Sequence, residues 1–147
     1  MAEGKDPYAK ALKLAKAPNG NKEKVLELLE ESYSQGNPEA AYALGTWYLH
    51  GEHVKKDLRK ATGFLREAAN SDVPDALYDL AVSYERGAGV KANPRKAFEL
   101  FLRAALRGEK QSIYEIGRLY YYGIGIDKDK KLAKIWLDRA EEVGVKK

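Results

Sequence analysis

The two histidines of this sequence are the first residues to consider as metal ligands. His50 and His53 lie three residues apart, a spacing that can place two imidazoles on one face of a helix. Gly51 between them favours a helix end, and the glutamate spacing of zinc-hydrolase motifs is missing. The chain contains no cysteine, which excludes cysteine zinc sites, thiol nucleophiles and disulfides. The sequence therefore predicts neither a metal nor a cofactor.

Glycine pairs and serines are the remaining candidates for catalytic chemistry. Gly87–Gly89 and Gly123–Gly125 have no third glycine, no following Lys-Ser/Thr and no preceding strand pattern, so they do not resemble nucleotide-binding loops. Active sites need convergent groups, but the serines that could act as nucleophiles show no common spacing: Ser32, Ser34, Ser71, Ser83 and Ser112. We therefore expect a protein that is not an enzyme.

Composition and charge indicate a globular protein that is not a nucleic-acid binder. The net charge is +4, but the excess cations are spread over the C-terminal half, whereas nucleic-acid-binding proteins concentrate them on one face. No apolar run reaches the roughly 18 residues of a membrane span, and the N-terminus has no apolar signal region. We expect no nucleic-acid or membrane partner and a cytoplasmic location.

The elements that position these residues follow from an internal repeat with a period of 36 residues. Aligning 37–72 with 73–108 gives 13 identities, and aligning 73–108 with 109–144 gives 8, against roughly 2 for unrelated segments of ordinary composition. Tyrosine recurs at 42, 78 and 114, and again at 48, 84 and 120. Periods of this size are typical of solenoid proteins. We assign one domain, 1–147, with a degenerate repeat at 6–36 and repeats at 37–72, 73–108 and 109–144.

Each repeat is predicted to form two helices, A and B. Helix A begins after Asn37 with Pro38 in its first turn and ends at Gly51, as helix capping preferences dictate. Helix B begins at the Asp57, Asn93 and Asp129 register and ends near the register of Gly108. No segment shows sustained period-two alternation, so the predicted fold is all-α.

The repeat motif resembles that of the Sel-one-like repeat family, a branch of the tetratricopeptide superfamily. Its first clear copy reads Ala40-x-Tyr42-x-Leu44-Gly45-x-x-Tyr48-x-x-Gly51, and the later copies add a Gly-x-Gly-Val/Ile loop at 87–90 and 123–126. The resemblance covers 37–144 strongly and 8–36 weakly. It implies a right-handed α-solenoid of about three and a half antiparallel helix pairs, and a protein-binding adaptor as the class of function.

The last helix B departs from the repeat pattern. Phe98, Leu102, Ala105 and Leu106 form an apolar face in the second repeat, and their counterparts are charged: Lys134, Asp138, Glu141 and Glu142. A terminal repeat needs a polar outer face. We therefore expect the solenoid to end here and the chain to be a complete small protein, although a solvated helix face that varies by chance gives the same pattern.

The outward row of the A helices is the candidate binding surface, and the resemblance implies that this row lines a concave groove. Tyrosine and arginine, which interfaces favour, are common in it. The recurring tyrosines can instead pack between adjacent A helices, whereas the non-recurring Tyr121 and Tyr122 favour partner contact. The partner-binding residues that we predict are Tyr42, Thr46, Leu49, His50, Tyr78, Val82, Glu85, Arg86, Tyr114, Arg118, Tyr121 and Tyr122.

Two functions remain open at this point. The first is an adaptor whose groove takes a peptide or a loop of another protein. The second is a bacterial immunity protein that occludes the active site of a toxin enzyme. Acidic members of the row could then mimic a phosphate or nucleic-acid substrate, although Arg86 and Arg118 in the same row weaken that version.

Overall fold

Eight α-helices joined by short connections make up residues 6–145, the part of the chain that the computed structural model describes. No strand occurs within this range. In chain order the helices are α1 (Pro7–Lys16), α2 (Lys22–Ser34), α3 (Pro38–His50), α4 (Leu58–Asn70), α5 (Pro74–Arg86), α6 (Pro94–Leu106), α7 (Lys110–Tyr122) and α8 (Lys130–Glu142).

The helices stack in chain order, and each packs mainly on the helices before and after it. This nearest-neighbour packing is that of a solenoid, and it confirms the all-α solenoid prediction. Four helix pairs are present in residues 6–145. The first pair, predicted as a degenerate repeat, has both helices, but α1 is 10 residues long where every other helix has 13.

Capping residues set the helix boundaries as the sequence predicts. The side chain of Asn37 accepts a hydrogen bond from the Glu39 amide at 2.8 Å, and Pro38 occupies the first turn of α3. Gly51 then ends α3 with a left-handed φ of 69°. The left-handed glycine recurs as Gly87 after α5 and Gly123 after α7, so the A helices end in register, although Val73 gives α5 no side-chain cap.

The loop between helices A and B needs a left-handed residue at its third position. Gly89 has φ of 77° there, and a Cβ on it would lie 2.3 Å from the carbonyl oxygen of Leu58, so only glycine fits. His53 occupies the same position in the preceding repeat with φ of 61°. Its ring packs edge-on against Trp47, with centroids 4.8 Å apart, which holds the imidazole against α3.

Leucine, alanine and phenylalanine side chains of both helix types fill the core. Leu44, Leu65, Leu77, Phe101 and Ile116 are among the fully buried side chains. The two glycines inside helix A contribute a second kind of contact, since a Cβ on Gly45 or Gly117 would come within 2.9 Å of the leucine that packs on it from helix B.

The outer face of α8 is charged and exposed. Lys134 and Asp138 form an ion pair at 2.9 Å on this face. The counterpart of Lys134 in α6 is Phe98, which is buried edge-on against Tyr120 with ring centroids 5.3 Å apart. The prediction that Leu106 belongs to the packed face of α6 is wrong: it is the last residue of the helix and is 75% exposed.

No helix in residues 6–145 combines the length and the apolar composition that crossing a membrane requires.

Candidate functional site

The outward sides of α3, α5 and α7 form one surface, which we call the A-helix face. The twelve partner-binding residues predicted from the sequence lie on these three helices, four on each. They do not converge on a single pocket. Four of them join the helices to one another, and nine line one of two separate pockets.

Two of the recurring tyrosines bridge consecutive A helices. The hydroxyl of Tyr42 in α3 donates to Oδ2 of Asp79 in α5 at 3.0 Å. The hydroxyl of Tyr78 in α5 donates to Oε2 of Glu115 in α7 at 3.4 Å. The sequence left two roles open for these tyrosines, packing between A helices or contact with a partner. Tyr42 and Tyr78 both make the contact between helices. Tyr114, their counterpart in α7, donates no hydrogen bond to any described residue.

Arg118 and Glu85 also link neighbouring A helices. One Arg118 nitrogen contacts both carboxylate oxygens of Glu85 at 2.7 and 3.0 Å, and Nε donates to Glu115 at 2.9 Å. Burial alone would lower the pKa of Arg118, but the hydrogen bonds to Glu85 and Glu115 outweigh this and raise it. The charges of Arg118, Glu85 and Glu115 are therefore paired within the protein. They hold neighbouring A helices together and are not free to bind a partner.

Sequence reasoning missed Asp79 and Glu115, the carboxylates that accept from Tyr42 and Tyr78. They occupy the same repeat position, and each follows its tyrosine by 37 residues. This spacing of one repeat plus one residue was a usable signal, because it pairs the outward row of one A helix with the next. Reading each repeat separately hides it.

Half-buried acidic groups shape the electrostatics of this region. Burial, together with the nearby charges of Asp75 and Glu109, raises the pKa of Asp79 to about 6, although the hydrogen bond from Tyr42 and the nearby His50 act in the opposite direction. Burial and the carboxylate of Glu115 raise the pKa of Tyr78 to about 12. The middle of the A-helix face is therefore a partly desolvated acidic region.

The first of the two pockets, which we call the α3–α5 pocket, has a volume of about 460 Å³. Asp79 in its lining is half-buried, whereas Lys56 and Arg86 are exposed. The pocket thus combines apolar walls with one acidic and two basic groups. It is lined by five of the predicted residues, Leu49, His50, Tyr78, Val82 and Arg86, together with Lys56, Leu58, Asp79, Ser83 and Ala88.

The second pocket lies at the end of α7 and has a volume of about 210 Å³. It is lined by Tyr114, Arg118, Tyr121, Tyr122 and Leu137. Tyr121 and Tyr122 are 42% and 64% exposed and pack edge-to-face with ring centroids 4.9 Å apart. Four of the predicted residues therefore meet here, and Leu137 of α8 is a contributor that the outward-row reasoning missed.

Three predicted residues, Tyr42, Thr46 and Glu85, line neither pocket. Thr46 is half-buried, and its hydroxyl donates to the Ala43 carbonyl oxygen at 2.8 Å, so its polar group is satisfied within α3. Two further cavities, of about 400 Å³ beside Gly36 and about 430 Å³ beside Tyr84, contain no predicted residue.

The two histidines do not form part of a multi-ligand cluster. His50 is exposed at the end of α3, and His53 packs on Trp47. Within residues 6–145 no three histidine, aspartate or glutamate side chains are grouped so that they could hold a metal ion.

Comparison with known proteins places the repeats in a described family. A family model, described as the Sel1 repeat, matches residues 38–73, 74–109 and 110–145. No curated protein matches the sequence.

Several solved structures share the fold. A protective antigen of uropathogenic Escherichia coli, described as displaying an SLR fold, is 27% identical with a TM-score of 0.91 over 97% of this chain and 31% of the other. A Sel1 repeat protein from Oxalobacter formigenes is 30% identical with a TM-score of 0.84 over 94% of this chain and 40% of the other. The chain thus spans less than half the length of either protein.

An immunity protein from Pseudomonas aeruginosa is 23% identical with a TM-score of 0.64, over 97% of this chain and 54% of the other. At that identity the likeness shows the fold alone.

Proposed function

Since the chain belongs to the Sel1 repeat family, we propose that its A-helix face binds a segment of another protein and that it acts as a non-enzymatic adaptor. Sel1 repeats generally mediate protein–protein interactions. The partner and the binding surface in this chain are the new parts of the proposal.

The α3–α5 pocket is the observation that carries the proposal. Its volume of about 460 Å³ lies within the range of pockets that bind ligands, about 300–1,000 Å³. Leu49, Val82 and Leu58 give it apolar walls, and Arg86 and Asp79 give it charged groups. Apolar area with a few polar groups for orientation is the chemistry of a side-chain-binding pocket.

The inter-helix contacts support the same surface as a preorganised one. Tyr42 and Tyr78 connect α3 to α5 and α5 to α7 through carboxylates, and the pair of Arg118 with Glu85 adds a second connection between α5 and α7. A surface that is rigid before binding loses less conformational entropy when a partner docks.

The proposal is tested by affinity purification with three baits. The wild-type chain is compared with the groove variant Leu49→Ser/Arg86→Ser and with the matched control Leu106→Ser/Arg95→Ser. The control removes the same residue types from α6, where Leu106 is 75% exposed and the Arg95 side chain is 68% exposed. Thermal melts establish that all three baits are folded.

We expect proteins that the wild-type and control baits retain to be lost from the groove variant. Equal retention by all three folded baits would overturn the proposal. Turnover of a substrate that persists through purification would contradict its non-enzymatic part.

Inhibition of a toxin enzyme is the second candidate function, and the pairing of Arg118 favours it. A free Arg118 in the outward row of the A helices would make that row a poor mimic of a phosphate substrate. Arg118 is instead paired with Glu85 and Glu115, so Arg86 is the one arginine of the predicted row that stays exposed and unpaired within residues 6–145, and Asp75 and Asp79 add acidic groups on α5. An acidic surface of this kind complements the basic active site of an enzyme that acts on nucleic acid.

This second candidate makes its own prediction. It expects one enzyme partner, bound with nanomolar affinity and inhibited stoichiometrically, and affinity that falls when Asp75 is replaced by asparagine. Several weakly bound partners without inhibition of any of them would leave the adaptor as the function.

A further inference from the structure

Outward positions of α3 and α5 contact the A helix that follows. At the first position, Tyr42 and Tyr78 reach the carboxylates of Asp79 and Glu115. At the second position, Glu85 of α5 pairs with Arg118 of α7. The tyrosine position therefore meets a carboxylate of the next A helix in both cases, whereas the second position forms an ion pair only in α5, since its counterpart in α3 is Leu49.

The same two positions on α7 are Tyr114 and Tyr121, which lie 36 residues after Tyr78 and Glu85. Neither has a polar partner among residues 6–145 that corresponds to those of the preceding helices: the hydroxyl of Tyr114 makes no hydrogen bond there, and Tyr121 is 42% exposed. They lie together in the pocket of about 210 Å³ with Tyr122 and Leu137. We call these four residues the α7 edge patch.

The α7 edge patch combines aromatic surface with hydrogen-bond donors and a nearby cation. Tyr121 and Tyr122 pack edge-to-face, and Tyr122 is 64% exposed. The ammonium of Lys130 lies 5.3 Å from the Tyr121 ring centre. The nearby Glu115 is already engaged with Arg118 at 2.9 Å, and within residues 6–145 neither Tyr114 nor Tyr121 donates a hydrogen bond to a carboxylate. The phenol donors of the patch, together with the ammonium of Lys130, suit an acidic ligand group.

We propose that the α7 edge patch binds a short acidic segment of a partner protein, in which an aspartate or glutamate accepts a hydrogen bond from Tyr114. An apolar side chain next to that carboxylate covers Tyr121 and Tyr122. The internal contacts are the template: twice in this chain the tyrosine at this position meets a carboxylate from the neighbouring element. The inference rests on the proposed protein-binding function and specifies the chemistry of the partner.

The surroundings of the patch limit the width of the segment. The outer face of α8 exposes the Lys134–Asp138 ion pair, with side chains 76% and 56% exposed. An occupant that covered this face would have to desolvate both charges, which is unfavourable. The fitting occupant is therefore a narrow segment that lies along α7 and touches α8 only near Leu137.

A random peptide library displayed on phage and selected against the full chain tests the proposal without knowledge of the natural partner. We expect the enriched peptides to contain an aspartate or glutamate beside an apolar residue. Selected peptides are then resynthesised, and their affinities for purified variants are measured by fluorescence anisotropy.

Three variants separate the contributions. Tyr114→Phe removes only the hydroxyl and is expected to weaken binding about tenfold, as for one charge-assisted hydrogen bond. Tyr121→Ala/Tyr122→Ala is expected to weaken it about 30-fold, as for loss of an aromatic binding centre, with an unchanged melting temperature. Tyr84→Phe is the matched control, since its hydroxyl contacts Arg66 elsewhere on the protein, and it should bind as the wild type does.

The outcomes that overturn the inference are specific. They are a selection that yields no binders, enriched peptides without acidic residues, or equal binding of the peptides to Tyr114→Phe and the wild type. If one of these results is obtained and the Leu49→Ser/Arg86→Ser bait nevertheless loses a partner that the wild type retains, this inference is refuted and the proposed function stands. Equal retention by all three baits would refute the proposed function itself.

Discussion

The glycine inside α7 gives the sharpest test of how the helix pairs pack. A Cβ added to Gly117 would lie 2.7 Å from both Cγ and Cδ2 of Leu137 and 3.2 Å from its backbone nitrogen. Since Cγ and the backbone nitrogen cannot swing away as a terminal methyl group can, α7 and α8 must separate. Overpacking of this kind costs about 1–3 kcal/mol, while alanine gains about 1 kcal/mol over glycine as a helix former. Gly117→Ala is therefore expected to destabilise the protein by about 1 kcal/mol.

Gly63 in α4 supplies the matched control. A Cβ on Gly63 would have nothing within 4 Å, so Gly63→Ala should gain the helix propensity alone, about 1 kcal/mol. The two variants are compared by urea unfolding followed by circular dichroism. The expected difference between their free energies of unfolding is about 2 kcal/mol. A Gly117→Ala protein as stable as Gly63→Ala would refute the close packing of α7 on α8.

Two further predictions concern electrostatics and the ends of the stacked faces. Because burial raises the pKa of Asp79 from 3.8 to about 6, the folded state binds its proton more tightly than the unfolded state does, and the wild type loses stability as the pH rises from about 4 to about 6. Asparagine does not titrate, so the stability of Asp79→Asn relative to the wild type should rise by about 2 kcal/mol between pH 4 and pH 7. An equal effect of the substitution at both pH values in urea unfolding would contradict this. Phe98→Ala should cost about 3–5 kcal/mol because Phe98 is buried against Tyr120, whereas the exposed Leu106 should change stability by no more than about 0.5 kcal/mol when it is replaced by alanine. Similar losses for both variants in thermal melts would show that Phe98 is not on the packed face of α6 with Leu106 outside it.

The sequence predicted the helices well because their boundaries depend on local chemistry. Asn37 and Pro38 determine where α3 starts, and the left-handed Gly51 determines where it ends. Each signal lies at the helix boundary itself, so no distant residue is needed to recognise it. The exposure of Leu106 was not predictable from spacing, since periodicity places it on the apolar face but does not show whether a residue at the helix end is covered by a neighbouring helix.

The candidate site was predicted less completely, and the reason lies in contacts between repeats. The outward row is a property of one helix, so helical spacing was enough to name Tyr42 and Arg118. Their partners Asp79 and Glu85 lie 37 and 33 residues away, and those contacts depend on how far successive helices are displaced along each other. The pattern of one helix does not contain that displacement. Residues such as Tyr42 and Arg118, which the sequence predicts to be free to bind a partner, are therefore found bonded to other residues of the protein.

Site-specific photo-crosslinking tests the central claim, that the A-helix face binds protein, most directly. p-Benzoyl-phenylalanine is incorporated in place of His50, which lines the α3–α5 pocket, or in place of Ile135, which is 63% exposed on α8. After irradiation in the native host, we predict a discrete protein adduct from position 50 that excess wild-type chain competes away, and none from position 135. The same adducts from both positions, or none from position 50, would contradict the account.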